Sequence, residues 1–369
     1  MGFPIANPFG NLLTLCMRWS DVGRLWILVL WLVCPALLKA ETWKLRDATA
    51  FEGTVTGIYG SRALFDVKGE SRWIEVSQLE DESLLQLANF QDKLASSPPA
   101  WSQPVGKVAK NLKGRLHVLR DKKFVNFDPG TRSEPRFYLI YFGAHWCGPC
   151  RRFSPQLLTS YQALKEKYGD DVELIFVSSD QDSTEQRKYA VEVGMPWPIV
   201  RYSALGSVPT LERWQARGIP NLVALTANGD LLFHSYRGEE YLGPQDALTR
   251  FTSFLETVYD ENSAERRQAF HRLAVLRHIQ AAARTPTGPQ PYLIQFGQSE
   301  FNGLSVTAIS VKLTIDAQGH VSQSDIETTL PAVHRASLLR STESWLFLPA
   351  VQAGRPVPIT VIFPLKIAR

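Results

Sequence analysis

The 369-residue sequence predicts an α/β protein: a central α/β domain, a small β-barrel before it and an α+β domain after it. Between residues 105 and 259, apolar strand patterns alternate with helical patterns, which is typical of a central sheet with helices on both faces. Residues 41–91 contain short alternating strands separated by glycine-containing turns. Residues 291–369 combine alternating strands with one helical segment, so three folded units are expected.

The composition is that of a globular protein, with 44% apolar and 21% charged residues. The formal net charge of +4 is small for this length. No basic run is interleaved with aromatic residues, so a nucleic-acid partner is not expected.

Residues 1–40 have the pattern of a signal peptide. Arg18 and Arg24 precede an apolar stretch at 25–38, and Ala40 is an acceptable cleavage site. A membrane-spanning helix needs about 20 apolar residues, and this stretch is shorter. We therefore expect export to the periplasm or cell envelope after cleavage; the alternative is an uncleaved membrane anchor formed by residues 25–38.

The segment at 41–91 alternates apolar and polar residues through 51–59, 63–67 and 72–76, which predicts a small β-barrel. This pattern resembles small Src-homology-3-like barrels, and we expect a spacer or protein-contact module without catalytic groups. Residues 92–104 include Ser-Ser-Pro-Pro and a second proline-containing stretch, so they are predicted to be an extended linker.

The central domain, residues 105–259, is expected to begin with a β-hairpin. Its later elements follow from apolar periodicity, and the Asn228-Gly229 pair predicts a second hairpin. The predicted strands are 115–119, 124–127, 137–142, 172–177, 222–225 and 231–235, and the predicted helices are 149–168, 183–193 and 244–259.

The run Trp146-Cys147-Gly148-Pro149-Cys150 lies where the strand at 137–142 gives way to a helix. Cysteines three positions apart on a first helical turn share a face and can form a disulfide. Cys147 would face free amide groups and the positive end of the helix dipole, which favours a thiolate. We therefore predict that Cys147 is the nucleophile and that Cys150 resolves the mixed disulfide.

A Cys-x-x-Cys pair can also be half of a zinc site. The two other cysteines, Cys16 and Cys34, lie in the predicted signal peptide, and no histidine pair follows at zinc spacing. We therefore expect redox chemistry with no metal and no cofactor beyond the Cys147–Cys150 disulfide. A metal site and a purely structural bridge remain the alternatives.

These residues resemble the thioredoxin superfamily, and its tryparedoxins and nucleoredoxins in particular. The resemblance rests on the WCGPC run followed by Arg-Arg-Phe-Ser-Pro, on Phe-Val-Ser-Ser-Asp at 176–180, on Met-Pro-Trp at 195–197 and on Gly-Ile-Pro at 218–220. It implies that Pro220 is a cis-proline beside the disulfide. It also implies that a substrate strand is held by Trp146, Gly148, Pro149, Ile219 and Pro220.

Three neighbouring residues carry further expectations. Tyr141 stands where thioredoxins keep a buried aspartate, so the base for Cys150 is not identified. His145 is expected to face solvent rather than to act in catalysis. Trp197 is expected in the core, with a place in the substrate groove as the alternative.

Residues 260–290 are predicted to be a helical linker that ends in a proline-rich hinge. In residues 291–369, a strand ending in Asp-x-x-Gly-x-Val is followed by Trp-x-Phe-x-Pro-Ala and by Gly-x-Pro-Val. This order resembles the C-terminal domain of TonB-type energy transducers. The resemblance implies docking on an envelope protein through an edge strand. The long proline-rich segment of TonB is missing, so energy transduction is not implied.

The function expected from these patterns is an exported thiol-disulfide oxidoreductase. Its expected partners are protein thiols and disulfides, together with an upstream thiol reductant. The alternative is a redox-sensing envelope adaptor that acts through its barrel and TonB-like domains.

Overall fold

The computed structural model describes residues 40–96, 99–260, 262–282, 285–297, 301, 304, 306 and 308–367. The chain divides into Met1–Lys39 and one compact unit, Ala40–Arg369. The predicted signal peptide, apart from Ala40, lies outside the described residues, as do Cys16 and Cys34. Within the described ranges, no helix combines the length and the apolar character needed to cross a membrane.

The N-terminal part is an antiparallel sheet of four strands in sequential order, followed by a helix. Trp43 and Phe65 are fully or almost fully buried on the covered face of this sheet, and Leu79 belongs to the same core. The elements are β1 (Glu41–Lys44), β2 (Ala50–Tyr59), β3 (Arg62–Val67), β4 (Glu70–Glu75) and α1 (Asp81–Ser96).

The expected closed barrel is not formed by the described residues. Strands β1 and β4 lie at opposite edges of the sheet. The segments that follow them pair at an isolated bridge between Leu45 and Leu79, and not as a continuous ladder. The apolar face packs instead against helices, including Leu84 of α1 and Leu273 of a later helix. Alternating polarity predicts strands with one buried face, but it does not specify what covers that face.

The central domain contains a seven-stranded mixed sheet. The elements are α2 (Lys107–Leu112), β5 (Leu116–Arg120), β6 (Lys123–Asn126), β7 (Phe137–Gly143), α3 (Gly148–Tyr168), β8 (Val172–Ser178), α4 (Ser183–Val193), β9 (Ile199–Val200), α5 (Pro209–Glu212), β10 (Asn221–Thr226), β11 (Leu231–His234), β12 (Tyr236–Arg237), β13 (Glu240–Tyr241) and α6 (Pro244–Tyr259). The strand order is β11-β10-β7-β8-β9-β5-β6. Strands β7, β8 and β9 are parallel, and their neighbours are antiparallel.

The prediction of helices on both faces of this sheet is confirmed. Alternate residues of β7 point to opposite sides: Leu139 belongs to the core shared with α3, α4 and α6, whereas Ile140 belongs to the core shared with α2 and α5. Helix α4 begins at an Asp182 cap, whose side chain accepts hydrogen bonds from two backbone amides, and ends at Gly194 with a φ of 69°.

The N-terminal sheet packs directly on the central domain. Tyr59 lies in the same core as Phe137, with ring centroids 5.1 Å apart. Arg136 donates to the Ile58 carbonyl oxygen at 2.6 Å. In the predicted linker, α1 continues to Ser96, and Trp101 is buried in the central core. This segment is therefore partly helical and partly packed, because burial of the Trp101 ring in the central core removes apolar surface from water.

The C-terminal part begins with a long helix that packs on the N-terminal sheet and contacts the last domain. The elements are α7 (Ala264–Ala281), β14 (Gln290–Leu293), β15 (Ala308–Ile315), β16 (Val321–Ile326), α8 (Ala332–Thr342), β17 (Leu346–Leu348), β18 (Ala350–Gln352), β19 (Arg355–Val357) and β20 (Ile359–Lys366). The main sheet has the order β16-β15-β20.

The junction between α7 and the C-terminal part contains a buried histidine. Nε2 of His271 lies 2.7 Å from the Phe347 carbonyl oxygen, and the side chain is 2% exposed. Burial lowers the pKa of His271, and His320 lowers it further, against opposing effects of the Phe347 carbonyl and Asp316. The unfolded chain therefore binds this proton more readily than the folded protein.

This lowered pKa predicts a loss of stability in acid. The contribution of His271 is fully present above its ordinary pKa of about 6.5 and is lost as the pH falls below that value. We expect the melting temperature to decrease as the pH is lowered from 7.5 to 5. The fall should be smaller in His271→Gln, because glutamine does not titrate. Equal pH slopes in the two proteins, measured by thermal unfolding, would contradict the prediction.

Candidate active site

The two cysteines of the WCGPC run form a disulfide at the N-terminus of α3. Their Cα atoms are 5.2 Å apart. Cys147 caps the helix, and its Sγ accepts a hydrogen bond of 3.1 Å from the backbone amide of Cys150. Pro149 lies in the first turn, where its missing N–H had no helical partner. The strand-to-helix junction therefore gives Cys147 the amide environment that the sequence predicts.

The two sulfur-bearing residues are buried, while the residues around them face solvent. Cys147 is 4% exposed and Cys150 is fully buried, whereas Trp146 is 62% exposed. Gly148 and Pro149 are exposed as well. The Trp146 indole donates to the Ser179 carbonyl oxygen at 3.2 Å, which holds the ring beside the disulfide. Cys147 is thus placed at the surface edge of the site and Cys150 beneath it.

The loop at 218–220 packs against the disulfide. The Ile219–Pro220 peptide bond is cis, and the Ile219 carbonyl oxygen lies 3.7 Å from Sγ of Cys147. Pro220 is buried and Ile219 is partly exposed. The structure therefore brings together all seven residues predicted for the site.

A cluster of three hydroxyl groups lies beneath Cys150. The Tyr141 hydroxyl is 3.0 Å from Ser154 Oγ and 3.1 Å from the Tyr189 hydroxyl, and it donates to the Cys150 carbonyl oxygen at 3.3 Å. Burial raises the pKa of Tyr141 far above its usual range, so this residue stays neutral. The cluster anchors the first turn of α3 and does not supply a carboxylate base.

The expectation that His145 faces solvent is wrong. Its side chain is 14% exposed, with Nδ1 2.8 Å from Glu185 and Nε2 2.9 Å from Glu192. Its backbone amide donates to Asp180 at 2.7 Å. Glu192 also binds Arg151 at 2.6 Å. Because Glu185 and Glu192 belong to α4, this helix fixes the residues that flank the cysteine pair.

Trp197 belongs to the core, as expected, and not to the groove. It is fully buried, and its ring lies 5.3 Å from that of Tyr161 in an edge-to-face arrangement. Residues of α3 and α4, among them Gly148, Arg151 and Tyr189, line an open groove that does not include Trp197. In the described part of the chain, no three His, Cys, Asp or Glu side chains form a group that could hold a metal ion.

Sequence patterns did not indicate Tyr236 and Tyr241, which also lie at the site. The Tyr241 hydroxyl donates to the Pro220 carbonyl oxygen at 2.9 Å. The two tyrosines come from the short strands β12 and β13, only two residues each, which are too short to show periodicity. Nothing in the local sequence signals this contact.

The central residues match known proteins. A family model described as thioredoxin-like matches residues 135–231. A probable nucleoredoxin 1 of Arabidopsis thaliana is 34% identical over 144 residues, which are 37% of this chain and 23% of that protein. The nucleoredoxin of Mus musculus is 38% identical over 101 residues, covering 27% of this chain and 22% of its own length.

Among solved structures, tryparedoxin I from Leishmania major is 25% identical, with a TM-score of 0.30. The match covers 42% of this chain and 98% of that one. This chain spans roughly a quarter of the length of the curated relatives that it matches. The segment at 135–231 contains Cys147, Cys150 and Pro220. Residues 135–231 are therefore a thioredoxin-like domain, and this part of the chain is similar in sequence to segments of nucleoredoxins.

Proposed function

We propose that the protein is an exported oxidoreductase that exchanges electrons with protein disulfides through Cys147 and Cys150. The observation that carries this proposal is the disulfide at the N-terminus of α3, in contact with the cis-Pro220 loop. Trp146, Gly148 and Pro149 beside the disulfide are all exposed, which leaves them free to contact a polypeptide.

The reaction begins from the reduced pair. The Cys147 thiolate attacks one sulfur of a substrate disulfide, so that a mixed disulfide forms and the other substrate sulfur leaves as a thiolate. Cys150 gives up its proton, which the departing substrate thiolate can accept, and its sulfur attacks Sγ of Cys147. The Cys147–Cys150 disulfide forms, and the second substrate sulfur is released as a thiolate. The substrate gains two electrons, and an upstream dithiol reductant returns two electrons to the pair.

The amide environment of Cys147 favours this order of events. The Cys150 amide and the free end of the helix stabilise negative charge on Sγ of Cys147. Cys150 is fully buried behind Cys147, so a substrate sulfur reaches Cys147 first. Their positions therefore give the two cysteines different roles: Cys147 attacks the substrate disulfide, and Cys150 resolves the mixed disulfide.

Replacing the resolving cysteine is expected to trap substrates. In Cys150→Ser, the mixed disulfide on Cys147 cannot be resolved, so covalent adducts that dithiothreitol releases should accumulate in cell-envelope fractions. Mass spectrometry identifies the captured proteins. The matched control is Cys147→Ser with Cys150 retained, which should capture far less. Equal capture by the two variants, or none by Cys150→Ser, would rule out the proposed roles.

Export is proposed from residues 25–38 and the residues around Ala40. Cleavage after Ala40 would leave Cys147 and Cys150 as the only cysteines of the mature chain. The intact mass of protein purified from its native membrane and soluble fractions tests this. A mature chain beginning at Glu41 supports cleavage, and a chain that retains the apolar segment in the membrane fraction supports the anchor instead.

The TonB-like resemblance of residues 291–369 supports a second proposal, that this part docks on an envelope protein. A full-length Cys147→Ser/Cys150→Ser protein cannot form mixed disulfides, so any partner that it retains is bound noncovalently. A partner that is also lost when the C-terminal core is disrupted would support docking. If Cys150→Ser traps nothing while this partner persists, the adaptor function replaces the enzymatic one.

A further inference from the structure

The hairpin formed by β12 and β13 places two tyrosines against the cis-proline loop. Tyr236 and Tyr241 are directly paired across the hairpin, and their ring centroids are 4.9 Å apart. The two strands lie outside the seven-stranded sheet as a separate two-stranded unit. The hairpin is therefore an addition to the central sheet, with an aromatic pair on one face.

Both tyrosine hydroxyls reach the loop at 218–220. The Tyr241 hydroxyl donates to the Pro220 carbonyl oxygen at 2.9 Å. A Cβ added to Gly218 would lie 2.7 Å from the Tyr236 hydroxyl, so this hydroxyl occupies the space beside Gly218. Tyr241 and Tyr236 thus contact opposite ends of the loop, and Ile219 lies between those contacts.

The exposure of Tyr241 distinguishes it from a purely structural residue. Among the described residues of the central domain, Trp146 and Tyr241 are the two aromatic side chains counted as exposed, at 62% and 48%. Trp146 is adjacent to Cys147, and Tyr241 is bonded to Pro220. Exposed aromatic rings with a fixed polar end are typical of protein-contact surfaces. One exposed ring is therefore next to Cys147 in the chain, and the other is bonded to the loop that contacts Cys147.

We propose that Tyr241 determines specificity for polypeptide disulfides. Its hydroxyl fixes the Pro220 carbonyl and, through it, the Ile219 backbone that an extended substrate would pair with. Its ring, with that of Trp146, contacts the substrate residues that flank the reacting cysteine. This inference rests on the proposed exchange reaction, and it adds which residues the polypeptide substrate carries beside its cysteine: apolar or aromatic ones.

A comparison of two substrates tests the inference. One is a synthetic peptide with a single disulfide flanked by aromatic residues, and the other is a small aromatic disulfide with no backbone. Tyr241→Phe removes only the hydroxyl, and we expect its kcat/KM for the peptide to fall about fivefold, mainly through KM. Tyr241→Ala removes the ring as well, and the loss should reach about tenfold or more.

On the small disulfide, both variants should lose less than about twofold, because that substrate has no backbone to pair. Tyr292→Phe is the matched control, since Tyr292 is a similarly exposed tyrosine of the C-terminal part, at 41%. Equal losses on both substrates, or no loss on the peptide in a variant with wild-type thermal unfolding, would overturn the specificity role. If instead Cys147→Ser retains activity, the exchange reaction itself fails.

Discussion

Cys147→Ser is expected to abolish disulfide reduction. A serine hydroxyl at this position is not ionised near neutral pH and cannot form the mixed disulfide, so turnover should fall by more than about a thousandfold. The fold should persist, because serine differs from cysteine by one atom and the site is at the edge of the core. An insulin-reduction assay with dithiothreitol, corrected for the uncatalysed rate, measures the effect.

Cys150→Ser is the informative companion to this variant. It keeps the attacking sulfur, so it should form one equivalent of mixed disulfide rapidly and then stop. Single-turnover measurements with a chromogenic disulfide separate the two behaviours. Equal steady-state activity in wild type and both serine variants would end the enzymatic interpretation.

Trp345→Ala is expected to give the largest loss of stability in the C-terminal part. Trp345 is fully buried, and its indole donates to the Gln295 carbonyl oxygen at 2.8 Å. It packs against Phe363 in the core formed with β15 and β20. Truncating a buried tryptophan costs about 3–5 kcal/mol in unfolding free energy, from lost burial and from the cavity left behind. Chemical denaturation measures the change in unfolding free energy. Hydrogen exchange then shows which part of the chain has lost stability.

The same variant should retain disulfide reduction, because the C-terminal part contacts α7 through β17 while the disulfide lies on α3. Trp146→Ala provides the reciprocal control. Replacing this exposed residue should change the free energy of unfolding by less than about 0.5 kcal/mol, and it should lower activity on polypeptide substrates. A folded Trp345→Ala protein without reductase activity would show that the C-terminal part is needed for catalysis.

Much of the central domain follows from local pattern. The helices predicted at about 183–193 and 244–259 agree with α4 and α6. Local residues explain the agreement: Asp182 and Gly194 cap the first helix, and Pro244 begins the second. The cysteine pair is equally local, since three positions on a first helical turn suffice to bring the sulfurs together. Local pattern could not show that the expected N-terminal barrel stays open. Closure of a barrel depends on which strands pair and on which helices cover the sheet.

The sequence by itself determined the chemistry: a Cys-Gly-Pro-Cys run at a strand-to-helix junction places one sulfur at amide donors and the other behind it. Only the tertiary structure decided what surrounds that pair. Tyr241 reaches Pro220 across 21 residues, and Tyr189 reaches Tyr141 across 48. Such contacts depend on how separate elements pack, and the periodicity of apolar residues along the chain does not predict them. For the same physical reason, His145 lies between two glutamates of α4 rather than in solvent.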